Sequence, residues 1–499
     1  MDCTSSRPEQ QHGSMASGDL AAQVRETHTG IVILLGDRAF KAKKPVVTDF
    51  LNFSTAANRE RACQHEVTLN KRLAPDSYLG VAHFSDPQGS APEPVIVMRR
   101  HPDAARLASL VNSGEPAFDH VVSIARVLAR FHAVAERGEA IDAQGSRDAV
   151  WARWRQNLDE LEAYAEDVVT SDSLREVRRM AERFVAGREV LFSERIAERR
   201  ILDGHADLLA DDIFCLPDGP ALLDCLEFDD QLRYVDGIDD AAFLAMDLEF
   251  LGHRDLADHF LDQYTKWADD PAPRGLVDFY IAYRAVVRTK VDCVRVTQGH
   301  REAAAEAHRH LGLALEHLRA GTVQLIIVAG GPGSGKTTLS TALAAQVGAH
   351  VISTDDVRRQ LRGDGVISGP AGELNAGLYS PANVAAVYDE VMKQAEVWLR
   401  RGHSVILDGT WRDPQERGRA HQLSDLISVP IVEFNCMVPI VEASARVAGR
   451  LRSSSDATPE IAVALAGASC GGPHVHDIDT TRPLAASVEE AQEICLRAS

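Results

Sequence analysis

Residues 330–338 read GGPGSGKTT, with LIIVA (325–329) before them and LSTAL (339–343) after. An unbroken apolar run, a glycine cluster and a helix-forming run spell strand, loop and helix around the spacing G-x-x-x-x-G-K-T. Gly330, Gly333 and Gly335 let backbone N–H groups close around a β-phosphate, Lys336 reaches the β/γ oxygens, and Thr337 offers a hydroxyl to Mg²⁺. The whole stretch, from Gly330 through Gly331, Pro332, Gly333, Ser334, Gly335, Lys336 and Thr337 to Thr338, is the expected ATP contact. A parallel α/β domain of the P-loop nucleoside-triphosphatase kind is therefore expected around it, over 323–499.

The rest of the chain must account for some 320 residues before that loop. At 499 residues the sequence is too long for one ordinary core, and 45% hydrophobic with 25% charged residues reads as globular. The net charge of −20 argues against a surface that wraps nucleic acid. Eight scattered cysteines with no CxxC pair read as reduced thiols of a cytoplasmic protein. No apolar run approaches membrane-spanning length, so no membrane partner is expected. Residues 1–18 read as a disordered extension, with Met15 an alternative start.

Going along the chain, IVILLGDRAFKAKK (31–44) has the pattern of a β-hairpin turning at Gly36-Asp37. A helix is expected over about 56–73 and a strand over PVIVMRR (94–100), closing a small lobe at about 19–101. From Asp119 the pattern is helical, apart from a β-like section at 200–228, which gives a helical lobe over about 102–320. That lobe ends at Gly321, and the short junction to the apolar run at 323–329 implies that the two parts pack together.

Beyond the loop, HVISTDDVRRQL (350–361) ends an apolar strand beside Asp355, with Arg358 one turn into the next helix. A carboxylate there can take the proton of an acceptor hydroxyl; the alternative is a helix cap. HSVILDGTWRD (403–413) ends a further strand at Asp408, placed to contact Mg²⁺ through water or to hold the acceptor pocket. Arg446 and Arg450, at i and i+4, suit a lid closing on a transferring phosphoryl group, or else a solvated helix face. Together these features resemble the P-loop small-molecule and polynucleotide kinases. That resemblance implies Asp355 as general base, Arg358 as an acceptor-orienting residue and Arg446 with Arg450 as the lid. The loop-like stretch 364–382 would lie near the acceptor.

In the first part of the chain, His205, Asp207 and Asp212 stand as H-x-D-x4-D, followed by an apolar run leading to Asp224. Lys43, with Lys41 close behind, lies on an early strand, and Glu66 lies on the next helix. These features resemble the aminoglycoside phosphotransferases, and the whole chain is similar to bacterial tandem proteins that fuse such a module to a P-loop kinase. The resemblance implies a bilobal α+β protein-kinase-like fold, Asp207 as catalytic residue, Asp212 and Asp224 as metal ligands, and Lys43 with Glu66 as the phosphate clamp. The sequence departs from that family at Ala206, where it has Gly, and at Asp212, where it has Asn; no Gly-rich loop covers the phosphates. Activity is expected as phosphoryl transfer to a hydroxyl of a small polar metabolite. A 5′-hydroxyl nucleic-acid kinase and a nucleotide-responsive regulatory protein stand as alternatives. Acceptor and oligomeric state are not encoded in any motif.

Overall fold

The computed structural model describes residues 22–26, 30–46, 52–85, 92–370, 375–448 and 474–498. The expected N-terminal extension and Arg450 lie outside them. Among the described residues, chain contacts define two compact units: everything up to Phe131 together with His205–Arg233, and His132–Gly204 together with everything from Tyr234 onward.

The first unit is built on an antiparallel sheet of β1 (Gln23–Glu26), β2 (Gly30–Leu35), β3 (Arg38–Lys43), β4 (Tyr78–Phe84) and β5 (Glu93–Arg99), in the order β1-β2-β3-β5-β4. The β2–β3 hairpin turns at Gly36, whose φ of +57° explains glycine there. The helix Ala56–Asn70 starts where the Thr55 hydroxyl accepts the Asn58 N–H. Of its buried residues Arg59, Cys63, Glu66, Val67, Leu69 and Asn70, all but Leu69 repeat at helical spacing, so one face is covered. Cys63 and Val67 join Tyr78, Ile96, Phe214 and Leu223 in a single core.

In the second unit, helices Gly237–Phe250, Arg274–Thr297 and Ala303–Ala320 enclose a core in which Phe184 stacks on Phe279 at 4.3 Å. The strands β6 (Ile201–Asp203) and β9 (Tyr234–Asp236) pair beside it, whereas β7 (Ile213–Leu216) and β8 (Gly219–Leu222) form a hairpin in the first unit. The same second unit contains a parallel sheet: β10 (Leu325–Ala329), β11 (His350–Ser353), β12 (Val405–Gly409), β13 (Ile431–Met437) and β14 (Val475–Asp479), ordered β11-β12-β10-β13-β14. β10 is buried at all five positions, as a central strand covered on both faces must be. The helical and parallel-sheet parts pack closely: Gly275 sits against the Gly321 and Gly402 carbonyls, and Arg401 pairs with Glu194 at 2.8 Å.

His317 joins the helices of this unit. Its ring nitrogens meet Asp278 at 2.8 Å and Glu249 at 3.1 Å. Burial works against its charged form, but the two carboxylates outweigh that and hold the imidazole up at about 9. The folded chain therefore binds this proton more tightly than the unfolded one. The resulting stability is fully present below pH ~6.5, the ordinary histidine value, and is lost as pH rises through about 9. A shift of this size corresponds to roughly 3 kcal/mol. Unfolding free energies from urea titrations are expected to be lower at pH 9.5 than at pH 6 by that order, and His317→Leu is expected to flatten the profile. An unchanged slope in the variant would rule out this origin.

Candidate functional site

The parallel sheet places its loop at the strand-order reversal, where β10 has β12 on one side and β13 on the other. Open α/β sheets bind ligands in the crevice beyond such a point. From Ala329 the chain turns through Gly330, Gly333 and Gly335, with φ of 156°, 81° and 86°, and enters the helix Lys336–Val347. Space forbids side chains as firmly as torsion does: a Cβ at Gly333 would run into the Ala443 carbonyl, and one at Gly330 into the Ser334 hydroxyl. The helix has no side-chain cap, so its first-turn N–H groups face the loop ready for an anion.

Asp408, near the end of β12, is 2% exposed. The Thr337 hydroxyl donates to its Oδ2 at 2.7 Å, while Oδ1 is buried without a hydrogen-bond partner. Burial pushes this carboxyl above its ordinary value; Asp355 and Asp356 add to the effect, and Lys336 and the Thr337 bond oppose it. A buried carboxylate oxygen left over beside a threonine hydroxyl fits a hard cation, which takes oxygen ligands of this kind.

Asp355 lies in the first turn of the helix Thr354–Gly363, with Ser353 as its N-cap. It pairs with Arg358 at 2.6 Å, and Arg358 is buried over the Tyr379 ring at 4.5 Å. The side-chain cap at this turn is therefore the Ser353 hydroxyl, which accepts the Asp355 N–H, and the Asp355 carboxylate is held by Arg358. Arg446, on the helix Ile440–Ala448, donates to Glu442 at 2.5 Å and to the Thr480 carbonyl at 3.0 Å. It lines a cleft of about 330 Å³ with Gly333, Gly335, Thr338 and Arg482. Thr480 went unnoticed in the sequence; its hydroxyl donates to the Ser334 carbonyl at 2.6 Å and so braces the glycine loop from β14. Thr480 and Arg482 follow a short polar strand, VHDID, that carries no apolar signal.

In the first unit the expected residues also converge. Lys43 meets Glu66 at 2.5 Å, and Lys41, on the same face of β3, meets it at 2.9 Å. Both lysines therefore share the one helix carboxylate. Lys43 reaches on to Glu227, and Lys41 to Asp224 at 2.6 Å. Burial acts to lower the Lys41 ammonium, but Asp224 and Glu66 outweigh it and hold it well above the ordinary lysine value.

Asp224 has a φ of +64°, its N–H donates to the Tyr78 hydroxyl at 3.2 Å, and the next N–H donates to Asn70 Oδ1 at 2.9 Å. His205 Nε2 lies 3.0 Å from the Leu223 carbonyl, and its Nδ1 accepts the Asp207 N–H. These partners imply the Nε2–H tautomer and fix the loop that carries Asp207. Ala206, where the related enzymes have glycine, sits at φ +67°, the left-handed region that glycine enters without strain.

Asp212 is pushed well up by burial and by Asp224, Asp207 and Asp211, a crowding that a cation would relieve. Among the described residues, however, no group of three or more His, Cys, Asp or Glu is disposed to hold a metal ion. The Asp224 carboxylate, the expected metal ligand, pairs with Lys41 at 2.6 Å.

Comparison with known proteins places both halves in context. Residues 325–472 match the model of a family described as an AAA domain. The chain is similar to a choline/ethanolamine kinase family protein from Mesorhizobium loti (15% identity, 60% of this chain and 94% of that one, TM-score 0.36). It is also similar to a gluconokinase from Sinorhizobium meliloti 1021 (17% identity, 36% and 94%, TM-score 0.26). It is 57% identical over 471 residues to the uncharacterized protein Rv2004c of Mycobacterium tuberculosis and equally to Mb2027c of Mycobacterium bovis, covering 94% of this chain and 95% of each relative. Among the described residues no helix is long and apolar enough to cross a membrane. With a kinase-like antiparallel sheet and helices followed by a parallel five-stranded P-loop domain, the chain belongs to the same family as these mycobacterial proteins.

Proposed function

We propose that the chain is an ATP-dependent phosphotransferase whose P-loop domain moves a γ-phosphoryl group to a hydroxyl of a small polar metabolite. The observation that carries this reading is the Thr337–Asp408 pair, which leaves one buried carboxylate oxygen unpartnered next to the glycine loop. Mg²⁺ bound there with ATP would neutralise charge on the β- and γ-phosphates. The chain's own residues supply the rest. The loop N–H groups and Lys336 hold the phosphates. Asp355 accepts the acceptor's proton as its oxygen bonds to the γ-phosphorus and the bond to the leaving ADP breaks. Arg358 orients Asp355, and Arg446, beside the loop, offsets negative charge developing on the phosphoryl oxygens.

The N-terminal unit is a second kinase or an acceptor-binding scaffold. One observation favours the scaffold: the Lys41 ammonium already occupies the carboxylate that a kinase would give to metal. A second kinase would need Mg²⁺, arriving with nucleotide, to recruit Asp212 and Asp224 from this network, with Asp207 then facing the acceptor.

The test is label transfer from γ-labelled ATP with Mg²⁺ into a polar metabolite extract, comparing the intact chain with Asp355→Asn and Asp207→Ala. Loss only with Asp355→Asn assigns the reaction to the P-loop domain, and a distinct product lost with Asp207→Ala shows two kinases. Tight ATP binding without transfer by the intact chain would leave a nucleotide-responsive switch instead, and steep salt dependence of transfer would favour a nucleic-acid acceptor.

A further inference from the structure

A further candidate site lies where the helix Ser171–Ala186 runs out against the turn after Ile427. Gly187 packs on the Ile427 carbonyl there, and the next residue, Arg188, is 1% exposed. Its Nη1 donates to that same carbonyl at 3.2 Å, its guanidinium lies over the Phe184 ring at 5.5 Å, and its Nε has no partner. One turn earlier, the half-buried Arg183 also has a buried nitrogen, Nη2, without a partner. Both arginines line one cavity of about 20 Å³, together with Phe279, His317, Thr322 and Ser428.

The charges around this cavity do not balance. Among the described residues, the charged groups that act on Arg188 are Arg183 and Arg400, both cationic. Arg183 feels Arg179 and, as its one acid, Glu176, which is already bound to Arg179 at 2.9 Å. Arg400 is paired with Glu396. The charge on His317 is matched by its own two carboxylates, Asp278 and Glu249. Burial lowers Arg188 to about 9, which leaves it protonated at neutral pH. A buried, uncompensated cation is strongly disfavoured unless a counter-charge reaches it.

We propose that Arg183 and Arg188 form a binding site for a small monatomic anion of chloride size, which ties the end of the Ser171–Ala186 helix to the turn at Ser428. The cavity has room for one water-sized sphere or little more. A water there would satisfy hydrogen bonds but would leave the charge unbalanced, whereas a monovalent anion does both. A tetrahedral oxyanion is larger than the roughly 20 Å³ available between these side chains. The site is independent of phosphoryl transfer.

The experiment is thermal unfolding of the full chain at pH 7 in potassium chloride against potassium methanesulfonate at equal ionic strength, so that general screening cancels. The midpoint is expected to rise saturably with chloride, as binding to the folded state alone requires. Arg188→Met, which keeps the apolar stem, is expected to abolish the rise. If that variant does not fold, Arg183→Gln is expected to shift the half-saturating chloride concentration upward about tenfold, as loss of a charge-assisted hydrogen bond of ~1.5 kcal/mol implies. Equal midpoints in the two salts for the wild type, or an unchanged chloride response in the folded variants, would overturn the site. A rise with phosphate but none with chloride would overturn the assignment to a monatomic anion.

Discussion

Replacing Lys336 with alanine is expected to lower kcat/KM for phosphoryl transfer about 10²–10³-fold, the usual loss when a group positioned on developing charge is removed. The neighbourhood sharpens the expectation. Lys336 is one of the two influences that hold down the Asp408 carboxyl, which burial, Asp355 and Asp356 push up. Without the ammonium, Asp408 becomes a poorer anion at the same time as the phosphates lose their cation. The variant should therefore lose Mg²⁺-dependent nucleotide affinity as well as rate. Lys336 is only half-buried, so the melting midpoint should barely move, and calorimetric titration with Mg·ATP beside label transfer separates binding from folding. Transfer that survives within threefold would place the reaction elsewhere, and the N-terminal unit would become the candidate. Arginine is not expected to rescue, since its planar fork does not fit a space shaped for a compact point charge.

The glycine loop was readable because its chemistry is local. Strand, spacing, lysine and threonine lie within fourteen residues, 325–338, and each is required by the same phosphate group. The fold around it was less readable in proportion to how far each strand departs from a burial pattern. β12 opens with the apolar run VIL, but β14 reads VHDID and β1, QVRE, is exposed throughout. Neither can be told from a loop by periodicity, because their place depends on backbone pairing with a neighbouring strand. Thr480 was hidden for the same reason: its part in bracing Ser334 exists only once β14 has joined the sheet.

The N-terminal centre spans residues 41 to 227, and its ion pairs are a product of tertiary structure. Alternation along a strand puts Lys41 and Lys43 on one face, which is why the sequence favours Lys43 with Lys41 close behind. The structure uses both, on opposite oxygens of Glu66.

That shared carboxylate leads to the second large effect. Glu66 is fully buried, and its two oxygens meet two ammonium groups, one of them, on Lys43, 1% exposed. Glu66→Leu leaves those cations facing each other, with only Asp224 and Glu227 to offset them. Breaking a buried pair by deleting one partner costs about 3–5 kcal/mol, because the remaining charge keeps its desolvation penalty. The loss is expected in the denaturant transition of the first unit, read near Tyr78, whose hydroxyl touches the Asp224 backbone. Adding Lys43→Met to Glu66→Leu removes the most buried orphan and is expected to recover part of the loss. The double variant should therefore be more stable than the single, a sign that simple additivity of two damaging changes forbids. A Glu66→Leu cost under 1 kcal/mol, or a double variant less stable than the single, would show that the lysines escape to solvent and that the carboxylate does not organise the centre. Recovery in the double variant would instead establish that Glu66 matters through the lysine it neutralises, the condition under which Lys43 stays fixed for any nucleotide that the unit receives.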